Sequence, residues 1–260
     1  MRPTRDDILR ELGLTPVWRL RATRAAATPA AAEAPSVVGP PPPVAPAAPA
    51  APVTGDDDRA ARIAVLEWRD FAAAVDACTA CGLARTRKRS VPGVGAIDAE
   101  WLFVGEAPGA DEDAQGEPFV GQAGKLLDAM LAALGLSRSR NVYIANVLKC
   151  RPPNNRTPEP QEVDACRPFL DRQIALIRPQ VIVALGKSAA TTLLGVDATI
   201  ASLRGRVHRY RDRPLIVTYH PAYLLRSLPD KAKAWEDLLL ARRTLRAALD
   251  AATGAAAVDA

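Results

Sequence analysis

The chain carries four cysteines whose placement limits the folds open to it: Cys78 and Cys81 form a C-x2-C pair, while Cys150 and Cys166 stand far along the chain. One metal centre can use all four only if the fold gathers segments that are distant in sequence. The opening residues, MRPTRDDILRELGL, mix acids with arginines and lack an apolar signal region. That points to a reducing prokaryotic cytosol, where such thiols serve as metal ligands rather than disulfides. Four thiolates suit tetrahedral zinc or a [4Fe–4S] cluster, and the spacing alone leaves both open.

No apolar run approaches the ~20 residues of a membrane span. The net charge of +5 permits a polyanionic partner without requiring one. Positive charge clusters at Arg85, Arg87, Lys88 and Arg89, and again at Arg204, Arg206, Arg209, Arg211 and Arg213. Either run can equally be a solvated loop.

Residues 25–54 are almost entirely Ala, Pro, Val and Thr, and the four prolines from Pro40 to Pro43 can join neither a helix nor a central strand. Residues 1–57 are therefore expected to be a disordered extension. Within it, 6–20 can form a short amphipathic helix through Ile8, Leu9, Leu12, Leu14 and Trp18, either a docking segment for another protein or a loosely packed end. The folded domain is expected over 58–252, with a disordered tail over 253–260.

Within the domain, strand patterns at 101–106, 142–148 and 181–185, with shorter ones at 207–210 and 215–219, alternate with helix patterns at 121–134, 160–177, 187–194 and 232–252. Alternation of this kind predicts a three-layer α/β/α sandwich with a central, mainly parallel, four-stranded sheet. Ligands of such sheets bind beyond the carboxyl ends of the strands. Glu106, Asn146 and His220 all fall there.

Those three residues belong to longer motifs: GEAPGADEDAQGEPFVGQAG from Gly105, NVLKCRPPNNRTP from Asn146, and HPAYLLR from His220. With the cysteine spacing, and in this order, they resemble the family 4 uracil-DNA glycosylases, the iron–sulfur branch of the uracil-DNA glycosylase superfamily. The resemblance runs over about 71–245 and leaves the first 60 residues uncovered. It implies a [4Fe–4S] cluster on Cys78, Cys81, Cys150 and Cys166. It also implies a monomer acting on uracil-containing DNA, hydrolysing the N-glycosidic bond and leaving an abasic site for base-excision repair. Phe119 is expected to stack on the flipped base, and Gly105 and Ala107 to line its pocket. The Asn146 amide matches uracil O4 and N3–H, the reverse of the cytosine edge. His220 is expected to donate to uracil O2 as charge develops there.

By the same resemblance Tyr223, Leu224 and Leu225 form a wedge entering the duplex, flanked by Pro221 and Arg226 on the DNA backbone. The water-positioning group is less defined. In the best-known family of the superfamily an aspartate occupies the place of Ala107, so Glu106 is the first candidate, Glu112 the second and Asp113 the third. No motif lysine is placed for a Schiff base, so strand cleavage is not expected.

Other readings are a non-catalytic iron–sulfur DNA-binding member of the superfamily and one that traps DNA covalently through a histidine in an inserted basic loop. The segment KCRPPNNRTPEP has neither histidine nor insertion. A zinc deaminase needs glutamate two residues after a histidine ligand, and neither histidine has one. Hypoxanthine and xanthine remain open as minor substrates.

Overall fold

Strands with Leu, Ile, Val and Phe at successive positions have no polar side to give to water, and such strands bury both faces in a parallel sheet. The computed structural model, which describes residues 54–256 with side chains over 58–250, bears this out. Strands β2 (Trp101–Gly105), β3 (Val142–Asn146) and β4 (Val181–Leu185) are buried along their whole length. With β6 (Arg213–Thr218) they pair in parallel in the order β3-β2-β4-β6.

The sheet has six strands, not four. β1 (Val94–Gly95) adds antiparallel to β3, and β5 (Val207–Tyr210) adds antiparallel to β6. The four-strand expectation covers the parallel centre and omits both edges. β1 is two residues long, follows Pro92 and includes a glycine, so no strand periodicity announces it. β5 alternates exposed and partly buried positions, as an edge strand does.

Side chains alternate between the two faces of the sheet. Leu102, Val104, Ala145, Ile182, Ala184 and Val217 pack with α5 (Pro160–Ile177), α6 (Lys187–Leu194) and α7 (Ile200–Leu203). Phe103, Ile144, Val181, Val183, Leu185 and Ile216 pack with α4 (Gln122–Ala133) and α9 (Asp230–Ala256). A satellite core of Ile63, Phe71, Val75 and Phe169 joins α1 (Thr54–Ala64) and α2 (Trp68–Asp76) to α5. Helix α1 thus begins inside the segment expected to be extension, and α9 takes in the first four residues of the expected tail, ending at Ala256. The proposed docking segment 6–20 lies outside the described residues.

The chain leaves β2 for β3 on one side and returns for β4 on the other. That reversal opens a crevice at the carboxyl ends of these strands.

Candidate active site

A cavity of about 480 Å3 occupies that crevice, lined by Glu106, Ala107, Pro108, Gly109 and Glu112 after β2, by Phe119 and Ala123, by Asn146, Pro152, Asn155 and Arg156 after β3, and by His220, Ala222 and Arg226 after β6. The residues anticipated from three separate motifs meet here. Gly105, expected to line the pocket, instead sits behind two lining residues, Phe119 and Asn146, and leaves no room for a side chain. A Cβ there would lie 2.4 Å from Asn146 Oδ1 and 2.6 Å from the Phe119 ring.

Phe119 is held in a left-handed conformation, φ 56°, that a bulky residue rarely adopts. Its loop is gripped from both sides. Arg138 donates to the Pro118 carbonyl at 2.7 Å and to the Phe119 carbonyl, and is itself paired with Asp128 at 2.6 Å. Glu112 Oε1 accepts from the Val120 and Gly121 amides at 2.9 and 3.3 Å, and Oε2 accepts from the Gly109 amide at 3.0 Å. Both oxygens of Glu112, which lies in α3 (Ala110–Gln115), are therefore committed to backbone. Its place is to fix the cavity wall rather than to handle water. Asp113 turns away to accept from the Lys88 amide at 2.9 Å. Glu106 is the carboxylate left facing the cavity. Burial raises its pKa above the ordinary 4.5, and a hydrogen bond with Ser188 opposes the rise.

Asn146 ends β3 with its side chain 2 % exposed, and its Oδ1 has no hydrogen-bond partner. A buried acceptor left unpaired costs about 1–3 kcal/mol. His220 caps helix α8 (Pro221–Leu224), its Nδ1 accepting from the Ala222 amide at 3.2 Å. That bond requires an unprotonated Nδ1 and leaves the ring hydrogen on Nε2. Burial pulls the His220 pKa down to about 4; Arg226 adds to the fall and Glu112 opposes it. The imidazole is neutral at ordinary pH. Its ring lies 5.5 Å from that of Phe119, inclined by 29°. Behind it Gly186, at φ +92°, leaves no room for a side chain: a Cβ would approach His220 Cβ to 2.9 Å.

The expected wedge is divided. Leu225 is 43 % exposed and Tyr223 38 %, the latter stacked on Tyr219 and donating to Asp230 at 2.6 Å. Leu224 is only 1 % exposed and borders an apolar hollow with Leu126, Met130, Trp235 and Leu238, so it anchors α8 and is not a DNA contact. Pro221 is likewise buried, whereas Arg226 is exposed at the cavity rim. Asn155 and Arg156 line the cavity although no role was read for them. They stand in the motif after Asn146, and a bidentate pair with Glu162, at 2.6 and 2.9 Å, fixes Arg156.

All four cysteines line a second, smaller cavity between α2, the segment after β3 and α5, and all four thiols are free. Their sulfurs are met by donors. Arg59 reaches Cys78 at 3.3 Å, Arg87 reaches Cys150 at 3.0 Å, and the Lys149 amide reaches Cys166 at 3.2 Å. Burial pushes the Cys166 thiol up to about 12 and raises Cys150, whose bond from Arg87 opposes the rise. Among the described residues no three His, Cys, Asp or Glu side chains close around a single ion. The basic runs flagged in the sequence are partly internal: Arg87 also donates to the Asp76 carbonyl, and Arg204 pairs with buried Asp237 at 3.1 Å.

Comparison with known proteins agrees with this geometry. The profile of the Uracil DNA glycosylase superfamily matches residues 92–239. A type-4 uracil-DNA glycosylase of Archaeoglobus fulgidus is 49 % identical over 164 residues, covering 60 % of this chain and 82 % of that protein. This chain belongs to the type-4 uracil-DNA glycosylases. A member from Thermotoga maritima is 48 % identical over 155 residues, covering 59 % of this chain and 80 % of that protein. A type-5 uracil-DNA glycosylase of Pyrobaculum aerophilum is more distant, 34 % identical over 152 residues, covering 52 % and 67 %. Among the described residues no helix is long and apolar enough to cross a membrane.

Proposed function

We propose that this protein is a uracil-DNA glycosylase of base-excision repair, and that the unpartnered Oδ1 of Asn146 is the atom that reads the base. Uracil presents N3–H to this acceptor and O4 to the amide donor beside it, so flipping the base into the cavity satisfies a group the fold leaves wanting. Cytosine presents an acceptor at N3, which sets two acceptors face to face in a buried site. Phe119 offers an apolar ring for stacking, and the bare backbone of Gly105 leaves room for that ring and the Asn146 amide to stand side by side.

As the bond between C1′ and N1 breaks, its electron pair stays on uracil and charge spreads to O2. The neutral His220 donates from Nε2 to that oxygen, a bond that strengthens only as charge develops. Glu106, partly buried at the end of β2, orients the water that adds to C1′ and takes up its proton. The sugar carries cationic character at that stage, so a weak base suffices. Leu225 and Tyr223 fill the space left in the duplex, and Arg226 steadies the adjacent phosphates. Lys149 is buried away from the cavity, which agrees with hydrolysis without a Schiff base.

The donor set at Cys78, Cys81, Cys150 and Cys166 fits a [4Fe–4S] cluster. Zinc draws four sulfurs to one point at about 2.3 Å, whereas a cluster holds each thiolate on a separate iron. Four thiols brought to one cavity from three separate segments supply one ligand for each iron. Such a group would cross-link α2, the segment after β3 and α5, and it enters no step of the reaction.

The test is incubation of anaerobically purified protein with a labelled oligonucleotide bearing one uracil, then alkali. Cleavage at uracil alone, dependent on alkali and greatly slowed in His220→Ala, is expected. No cleavage by cluster-loaded protein would leave a DNA-binding member of the family, and a covalent gel-shifted product would indicate trapping.

A further inference from the structure

Lys149 is 1 % exposed, among the largest wholly buried side chains in the protein. Its ammonium donates to the Asn146 carbonyl at 2.7 Å and to Gln173 Oε1 at 2.5 Å, with no carboxylate among its hydrogen-bond partners. Gln173, 0 % exposed, passes the network on by donating to the Pro92 carbonyl at 2.6 Å and to the Tyr143 hydroxyl at 3.2 Å. Burying an ammonium is costly even with the sulfurs of Cys150 and Cys166 nearby to favour its charge, and an apolar side chain of similar length would pack there at lower cost. Helix, sheet and loop packing give no reason for a lysine here.

The partner it reaches supplies one. Asn146 is the last residue of β3, where the ladder to Gly105 ends. Beyond it the Val147 and Leu148 amides still donate to the Gly105 and Glu106 carbonyls at 2.9 and 3.0 Å, while the carbonyl of Asn146 itself is held by a side chain three residues on. A carbonyl pinned in this way fixes the peptide plane after Asn146 and with it the direction of the Cα–Cβ bond. Asn146 lines the cavity, so that direction governs how its amide is presented there.

We propose that Lys149 is a positioning residue for base recognition, holding the strand end so that the Asn146 amide meets the pyrimidine edge. The proposal rests on the reading of Asn146 given above. It adds a second tie from the cysteine-bearing region to the pocket, because the Lys149 amide also donates to Cys166 Sγ.

The test is a double-mutant cycle on full-length, cluster-loaded protein. Single-turnover cleavage of a uracil oligonucleotide is measured for the native chain, Lys149→Met, Asn146→Ala and the double variant, with visible cluster absorbance and Tm recorded for each. In the native background Lys149→Met is expected to slow cleavage about 10- to 100-fold at native cluster content. In the Asn146→Ala background it is expected to cost less than about threefold, because the side chain it aims is gone. Equal losses in both backgrounds would mean a general structural role and overturn the proposal, as would native activity in Lys149→Met. Native activity in Asn146→Ala would instead overturn the underlying reading of Asn146. Should Lys149→Met yield no cluster-loaded protein, Lys149→Arg decides by the same cycle, since it keeps the charge beside the sulfurs but displaces the donor.

Discussion

The base pocket and the cysteine cavity are built on opposite principles. In the pocket Asn146 Oδ1 is left without a partner, and the groups around it, Glu112, Arg138 and Gly186, hold its walls in place. In the cysteine cavity three of the four sulfurs are already met by donors, and the surrounding helices share the satellite core of Phe71, Val75 and Phe169. On the proposed function, one region withholds satisfaction until substrate arrives and the other gathers ligands to close the fold. Substitutions in the first should therefore cost rate while sparing stability, and those in the second should cost stability first.

The sharpest break in the comparison would come from Cys166→Ser. It is expected to lose the visible absorbance of the cluster and to lower Tm by roughly 5–15 °C, as removal of a cross-link between distant segments does. An unchanged Tm would show that the cysteines do not staple the fold. His220→Ala should reduce the single-turnover rate by about 10²–10³-fold with little change in Tm or DNA affinity. A loss confined to affinity would place the histidine in binding instead.

Adjacent leucines carry the contrast into the wedge. Leu224→Ala should destabilise by about 2–5 kcal/mol in denaturant melts, because it empties a buried site. Leu225→Ala should leave the melt unchanged and slow cleavage of duplex more than of single-stranded substrate. Reversal of the two results would mean that α8 is turned the other way in solution.

Acid should act through two groups in sequence. Glu106 titrates above 4.5 and His220 at about 4, so the native fall in kcat/KM belongs to Glu106. Glu106→Gln should lose this upper limb and keep only the lower one; an unmoved profile would remove Glu106 from the reaction. The stability effect of His220 has a definite sign. Its folded pKa lies below the ordinary 6.5, so the unfolded chain binds the proton more readily between the two values. This contribution is complete above 6.5, declines as pH falls towards 4, and should be absent from His220→Ala. The smallest effect is a null one: Asn146→Ala should leave Tm unchanged or slightly raised, because it deletes a buried acceptor that nothing satisfies.

Chemistry was more legible in the sequence than direction. Strand-end placement grouped Glu106, Asn146 and His220 because apolar runs ending in polar residues mark the carboxyl edge of a buried sheet. That all four cysteines share one cavity was implied by the family resemblance, since residue type and spacing suggested a metal without joining segments so far apart in sequence. Periodicity could not say which way Leu224 points, because α8 is a single turn whose orientation is set by α4 and α9 packing against it. Glu112 carried the same ambiguity: a carboxylate near a catalytic motif looks free until the amides of Gly109, Val120 and Gly121 are placed around it. Lys149 gave no signal at all, since a lysine between leucine and cysteine is ordinarily a surface residue.

The order β3-β2-β4-β6 has a consequence for when the enzyme becomes active during its own synthesis. Asn146 sits on one side of β2, and His220 follows β6, which joins the sheet beyond β4. A nascent chain can assemble β2, β3 and β4 with their helices and still lack one wall of the pocket. Competence is then gained in a single late step, when β6 docks, so partly made chains gain no partial ability to excise bases.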